Sequence, residues 1–169
     1  MDGDTSQDMR YAPPQAHVED VAAPEAGLVL AGRGERLRAT LVDVVIALLA
    51  WWIASRLASF SPWAADGSWP ALLLTALVGF VMFAAIHGHS LATRGQTLGK
   101  RVVGIRITRP DGSAASLGRL LGLRYGVGYL LTMVPVLGQA FALIDVLLIF
   151  RESRRCLHDL IADTIVVKA

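Results

Sequence analysis

Residues 39–58 read ATLVDVVIALLAWWIASRLA and residues 70–89 read PALLLTALVGFVMFAAIHGH, and these two apolar stretches decide the fold class of the chain. Each has the length of about 20 residues that an α-helix needs to cross the hydrocarbon core of a bilayer. Charged residues make up 18% of the chain, yet few of them lie in either stretch. The sequence therefore predicts an all-α integral membrane protein, built as a small polytopic helical bundle.

A third apolar region, residues 117–150, is too long for one ordinary span. Pro135 and Gly138 interrupt it, so we predict a hairpin with helical arms over residues 118–133 and 139–150 and a turn between them. Both arms are short for a full crossing. Two arrangements satisfy the pattern: about four membrane helices, or a bundle whose last two helices form a short or re-entrant hairpin.

Lysine and arginine are distributed unevenly, which sets the predicted orientation. Basic residues precede the first span, fill the loop of residues 90–117 and follow the last span, whereas Arg56, near the end of the first span, is the sole lysine or arginine of residues 39–89. Because positively charged loops stay in the cytoplasm, we predict cytoplasmic termini and a cytoplasmic basic loop. Residues 1–30 are predicted to form a disordered cytoplasmic tail, and residues 31–169 the transmembrane domain.

Two short β-branched segments lie on the predicted cytoplasmic side. They are residues 102–108, VVGIRIT, and residues 164–167, TIVV. β-branched side chains favour strands, and pairing would protect the edges of both segments. We therefore predict that the two segments pair as a short cytoplasmic β element.

Two aspartates interrupt the apolar regions. Asp43 shares the alanine-rich face of the first span, and Asp145 lies in the last arm in register with Gly138. Small residues mark close helix contact in a bilayer, so both carboxylates are predicted to face the bundle interior. Arg36 lies two turns before Asp43 on the same face, and Arg124 on the third helix is a partner for either aspartate.

The cost of a buried charge leaves two interpretations of these aspartates open. A charged side chain at mid-bilayer costs at least ~2.5–3.5 kcal/mol on insertion scales. The carboxylates either bind a proton or cation, or form ion-paired clamps that fix helix packing. We predict that Asp43 pairs with Arg36 or another arginine of the cytoplasmic side. A ridge formed by Gly118, Gly122 and Gly126 predicts close helix packing on the third helix.

Other motifs are weaker. The loop GQTLGK, with Gly95, Gln96, Thr97, Gly99 and Lys100, has one residue too few between its glycines for a phosphate-binding loop. His87 and His89 lie two apart, which places them on different helix faces, and Cys156 is the single cysteine. His158 and Asp159 are adjacent in sequence, which does not establish a dyad. We therefore predict no catalytic site, cofactor or metal, and with a net charge of only +2 no nucleic-acid partner.

In chain order, several motifs resemble the RDD family of bacterial membrane proteins, which is named for one arginine and two aspartates. These motifs are Arg36-Leu37-x-Ala39-x-x-Val42-Asp43, residues 95–107 (GQTLGKRVVGIRI), Asp111-Gly112, residues 117–119, Asp145 and residues 154–167 (RRCLHDLIADTIVV). The resemblance covers residues 31–168. It assigns the first two named positions to Arg36 and Asp43, and the third to Asp145 or Asp159. We favour Asp159, which lies in the tighter motif, and Asp163 stands where the family usually has glycine.

The resemblance also implies a function. Some family members have been linked to sodium- or other cation–proton antiport, so it suggests a transport-related, cation- or proton-coupled protein of the bacterial inner membrane. The alternative is a non-transporting scaffold or partner subunit whose buried arginine–aspartate pairs are structural. The expected partners are the lipid bilayer and either further copies of the chain or another membrane protein.

Overall fold

The computed structural model describes residues 27–58, 68–131 and 134–169 of the chain. Two long helices lead the fold: α1 spans Arg33–Ala58, and α2 spans Trp69–Arg94. The two predicted spans lie within these helices.

The remaining elements are short. In chain order they are α3 (Leu98–Val103), β1 (Ile105–Thr108), a π-helical segment (Arg119–Gly126), α4 (Val127–Leu131), α5 (Pro135–Leu147), a 3₁₀ turn (Leu148–Phe150), α6 (Leu157–Ile161) and β2 (Ile165–Lys168).

Helices α1 and α2 are long and apolar enough to cross a membrane. Only 6% of the residues in the most apolar part of each helix are buried within the chain. Leu41, Val45 and Leu48 on α1 and Leu77 and Val81 on α2 are exposed. A core helix of a soluble protein hides such side chains, so these outward apolar faces are suited to lipid.

The third apolar region differs from the predicted hairpin in one respect. Pro135 and Gly138 lie within the first turns of α5, so the turn predicted there is wrong. Proline at the first position of a helix loses no hydrogen bond, which explains why it begins α5 rather than breaking it. Residues 132–133, which join α4 to α5, lie outside the described residues. Both arms are shorter than an ordinary span, and the number of full crossings stays a prediction.

The predicted glycine ridge on the third helix is also wrong within the described part of the chain. A Cβ built at Gly118 or Gly122 would meet no described atom within 4 Å. At Gly126 the close neighbour, 2.8 Å away, is the carbonyl oxygen of Leu121 in the same helix. The π-helical segment has more residues per turn than an α-helix, so positions four apart do not stay on one stripe.

Strands β1 and β2 form an antiparallel pair, in which Arg106 is opposite Val167 and Ile107 is opposite Val166. The predicted pairing is confirmed, while its cytoplasmic side stays a prediction. The first strand is shorter than predicted, because Val102 and Val103 belong to α3. Thr97 caps that helix and Gly104, at a φ of 75°, ends it just before β1.

The residues before α1 lie along the free side of β2. The backbone N–H of Ala31 donates to the oxygen of Val166 at 2.9 Å, and that of Lys168 donates to the oxygen of Val29 at 2.9 Å. The last residues assigned to the tail therefore pack on the sheet, while residues 1–26 lie outside the described residues. The core between this sheet and the helices consists of buried side chains that include Leu91, Ile105, Ile107, Leu120 and Val166.

Candidate functional site

A cavity with a volume of about 720 Å³ lies among α1, α2 and the helices that follow the basic loop. Its apolar wall includes Ala47 and Trp51 of α1 and Gly79, Met82 and Phe83 of α2. Its polar wall lies at the end nearest α3 and α6. That wall includes Arg36, Asp43, His87, Lys100, Arg124, Asp145, Cys156 and His158.

Asp159 lies at the base of this polar wall and is completely buried. Arg36 donates from Nη1 to its Oδ2 at 3.0 Å, and Arg124 donates from Nη1 to its Oδ1. The same nitrogen of Arg124 also donates to Thr164 Oγ1. One carboxylate therefore joins α1 to the π-helical segment and to α6, and we call these three side chains, Arg36, Asp159 and Arg124, the arginine clamp.

The electrostatics of the clamp favour an ionised carboxylate. Burial by itself raises the pKa of Asp159, but Arg124, His158 and Arg36 together outweigh burial and hold that pKa well below its usual range. The backbone N–H of Cys156 also donates to Asp159 Oδ2 at 3.1 Å. An ion pair with this many partners is costly to break, because removing one member leaves an uncompensated buried charge.

Asp43 has a different environment. Its Oδ2 accepts a hydrogen bond from Thr97 Oγ1 at 2.5 Å, and its Oδ1 accepts one from the backbone N–H of Gly99 at 2.7 Å. His87 Nε2 lies 4.0 Å from the same Oδ1. The Asp43 side chain is 17% exposed. We call Asp43, His87, Thr97 and Gly99 the α1–α3 junction.

Close packing of the GQTLGK loop explains why it contains two glycines, and no phosphate-binding role is needed to explain them. A Cβ at Gly99 would lie 2.1 Å from the carbonyl oxygen of Ala39 and 2.8 Å from Asp43 Cγ. Gly95 has a φ of 64°, and a Cβ there would lie 2.5 Å from the carbonyl oxygen of Ile107. Gln96 donates to the carbonyl oxygen of Ile105 at 3.0 Å, and Lys100 Nζ lies 3.5 Å from Tyr125 Oη. The loop thus docks closely on α1 and β1.

Asp145 meets a histidine on the opposite wall. His158 donates from its backbone N–H to Asp145 Oδ1 at 2.9 Å, and His158 Nδ1 lies 2.7 Å from Oδ2. The Asp145 side chain is 17% exposed and the His158 side chain is 27% exposed. Cys156, two residues before His158, lines the cavity beside them. Burial and the nearby carboxylates of Asp159 and Asp145 raise the pKa of Cys156 to about 11, so the free thiol is neutral near pH 7.

Several predicted pairings are corrected by this geometry. Arg36 pairs with Asp159 rather than Asp43, so the predicted Arg36–Asp43 pair is wrong, and among the described residues the ionisable partner of Asp43 is His87. Arg124 also pairs with Asp159, rather than with Asp43 or Asp145. Asp43 and Asp145 both line the cavity. That they face the interior of a membrane-embedded bundle stays a prediction. Sequence reasoning missed the partnership of His87 with Asp43, although an ionisable residue inside a span was a usable signal.

The position of Asp163 explains why glycine is usual there in the resembled family. Asp163 has a φ of 46°, in the left-handed region that favours glycine. In this chain its carboxylate contacts Arg155 at 3.2 Å and Arg109 at 3.3 Å, with Arg119 at 3.9 Å. Aspartate tolerates this backbone conformation better than most residues.

Long helices with outward apolar faces, joined at one end by buried charged groups, define a helical membrane protein. The chain belongs to the RDD family, whose model matches residues 30–163. The resemblance predicted from its motifs is therefore confirmed.

The chain is also similar to a bacterial protein. The chain is 42% identical over 76 residues to the Uncharacterized protein YckC of Bacillus subtilis (strain 168). The aligned region covers 45% of this chain and 49% of that relative, so the chain spans about half the length of the curated relative it matches. No solved structure matches the chain.

Proposed function

We propose that this protein is a transport-related membrane protein that moves a cation or proton through its cavity, with Asp43 and His87 as the coupling pair. One observation carries the proposal: Asp43 lines the cavity beside a histidine, while Arg36 and Arg124, the two buried arginines of the cavity wall, are occupied by Asp159. An arginine on Asp43 would hold a permanent positive charge against it. The imidazole of the neighbouring histidine can instead take up or release a proton.

The hydrogen bonds around His87 support this assignment. The backbone N–H of Leu98 donates to His87 Nδ1 at 3.2 Å. In the neutral ring the proton then resides on Nε2, the nitrogen that lies 4.0 Å from Asp43 Oδ1. A proton or cation that reaches the carboxylate therefore changes its interaction with His87 directly, and the change is felt where α3 meets α1.

The cavity has the size and character that the proposal requires. Its volume of about 720 Å³ lies within the ~300–1,000 Å³ typical of binding sites. It combines an apolar wall between the long helices with ionisable groups at one end. Asp43 is positioned where the two parts meet, and Thr97 and Gly99 fix both of its oxygens.

A flux assay in proteoliposomes under imposed ion and pH gradients tests the proposal. We expect Asp43→Asn and His87→Gln to remain assembled in the membrane and to lose proton-coupled flux by at least tenfold. Each replacement removes a titratable group but keeps a polar side chain that accepts and donates hydrogen bonds. Asp111→Asn removes a carboxylate from an exposed turn and serves as the charge control.

A non-transporting scaffold or partner subunit is the second candidate, and the arginine clamp favours it. In that case Asp43 only holds α3 on α1. Thr97→Val separates the candidates, because it removes the hydroxyl that donates to Asp43 without removing a titratable group. Equal loss of stability in Thr97→Val and Asp43→Asn, with no flux in the unchanged protein, would support the scaffold. A Thr97→Val protein that retains flux would support transport.

We further propose a bacterial inner-membrane location with cytoplasmic termini, and a homo-oligomer or a membrane partner protein as the assembled form. The basic residues around the sheet support the orientation, and the exposed apolar faces of α1 and α2 support lipid or helix contacts. Cysteine labelling at position 112 in intact cells, with Cys156 replaced, tests the orientation. Labelling from outside would refute it.

A further inference from the structure

Three residues that the proposed coupling pair does not use form a cluster in the cavity wall. They are Asp145, Cys156 and His158. Each offers one metal-binding atom, and these atoms all lie within 4.8 Å of one another. The cluster joins the last part of α5 to the start of α6.

We propose that Asp145, Cys156 and His158 bind a divalent transition-metal ion of the zinc class. A carboxylate oxygen, a thiolate sulfur and an imidazole nitrogen together form a donor set that favours such an ion over Mg²⁺ or Ca²⁺, which prefer oxygen ligands. The three protein ligands leave one tetrahedral position, and the cavity lined by these residues gives access to it.

The present separations require only small movements for binding. Ligands about 2.0–2.3 Å from a tetrahedral metal ion lie roughly 3.3–3.8 Å apart. His158 Nδ1 and Asp145 Oδ2 are 2.7 Å apart, and the remaining separations are at most 4.8 Å. Shifts of about 1 Å therefore convert the aspartate–histidine hydrogen bond into shared coordination.

Charge also balances at the proposed site. The ionised carboxylate of Asp145 and the thiolate of Cys156 supply two negative charges for a divalent ion. Coordination releases the thiol proton of Cys156 to solvent. His158 binds through Nδ1 as a neutral ring whose proton resides on Nε2, the nitrogen that lies 3.8 Å from Asp159 Oδ2. The arginine clamp lies beside the site and carries one net positive charge, since Arg36 and Arg124 share the single carboxylate of Asp159.

Titration of the purified full-length protein with Co²⁺ tests this site directly. The protein is kept in detergent with a non-thiol reductant, and absorbance is followed. We expect one equivalent to produce a thiolate-to-cobalt charge-transfer band with tetrahedral visible absorption, and Zn²⁺ to displace the Co²⁺. Cys156→Ser should abolish the charge-transfer band. Asp145→Asn and His158→Asn should weaken Co²⁺ binding by at least tenfold.

The controls keep the outcome interpretable. Cys156 is the N-cap of α6, and serine is a good N-cap residue, so Cys156→Ser is expected to fold. His89→Asn removes a histidine of α2 that lies outside the cluster and should leave Co²⁺ binding unchanged. A band that is absent from the unchanged protein, or binding that is equal in the unchanged protein and Cys156→Ser, would overturn the proposal.

The experiments can refute the metal-site proposal and the transport proposal independently of each other. The titration needs no membrane gradient and no flux. Co²⁺ binding without any ion flux would overturn transport and leave the metal site standing. Flux that depends on Asp43, in a protein that binds no Co²⁺, would do the opposite.

Discussion

The arginine clamp and the α1–α3 junction are two carboxylate sites that share one cavity wall but differ in their partners. Asp159 is completely buried between Arg36 and Arg124, whereas Asp43 is partly exposed and is held by Thr97, Gly99 and a histidine. Permanent cations fix the charge of the first carboxylate. The second accepts its hydrogen bonds from neutral donors, the hydroxyl of Thr97 and the backbone N–H of Gly99.

Because of this difference, we expect two charged residues of the same helix to have different roles, one in stability and one in the proposed function. Arg36 and Asp43 are both on α1, and the family motif contains both. The clamp ties α1 to the C-terminal segment, while the junction ties it to the loop after α2. The carboxylate that is most enclosed is therefore expected to govern stability, and the more open one to govern activity.

Asp159→Asn should have the largest effect on stability, because it acts on the clamp. It leaves Arg36 and Arg124 buried without their shared counter-charge, which we expect to cost about 3–5 kcal/mol of unfolding free energy. Thermal or denaturant unfolding of the detergent-solubilised protein measures this loss. Asp111→Asn, at an exposed turn, should be near neutral. Similar stability of the two variants would remove the distinction between clamp and junction.

The pH dependence of stability gives a second test of the clamp. The pKa of Asp159 in the folded protein lies below its unfolded value of about 3.9, because the arginines and His158 outweigh burial. The stability that Asp159 contributes is therefore complete above that unfolded value and is lost as pH falls through the lower, folded pKa. Comparing unfolding of the unchanged protein and Asp159→Asn from neutral to strongly acid pH should show their difference shrinking only at the acid end. A difference that already shrinks close to neutral pH would contradict this assignment.

Gly99→Ala should have an intermediate effect, and it acts on the junction. The added methyl group would overlap the carbonyl oxygen of Ala39 and the carboxylate of Asp43, so α3 must move away from α1. Such overpacking costs roughly 1–3 kcal/mol. Gly118→Ala is the matched control, because its Cβ would meet no described atom within 4 Å. Unfolding midpoints compare the two, and equal values would show that α3 is not packed closely on α1.

Changes at Asp163 should have the smallest effect on stability, and they test whether burial decides how much an arginine–aspartate contact contributes. Asp163 contacts three arginines, as a counterpart to Asp159, but its side chain is 45% exposed. Exposed ion pairs contribute about 0–1 kcal/mol. Asp163→Gly loses these contacts but relieves the left-handed backbone, so we expect it to be more stable than Asp163→Ala. Calorimetric ranking of both against the unchanged protein tests this order, and a more stable Asp163→Ala would contradict it.

Much of the fold was predictable because its signals are local. The lengths of the apolar stretches indicated α1 and α2, and β-branched composition indicated both strands. The winding of residues 119–126 was not predictable. A π-helical segment depends on the surrounding contacts, and it moved Gly118 and Gly122 away from the predicted ridge.

By itself, the sequence determined the class of protein, the family and the residues that carry buried charge. Only the tertiary structure decided which charges meet. Arg36 and Asp43 are seven residues apart, about 10 Å along a helix axis, so sharing a face did not bring their charged groups together. Arg36 instead reaches Asp159, which is 123 positions away in the chain. Helical spacing determines the face of the helix from which a side chain projects. The ion pair between Arg36 and Asp159 also requires two elements to pack together, and that packing depends on the whole fold.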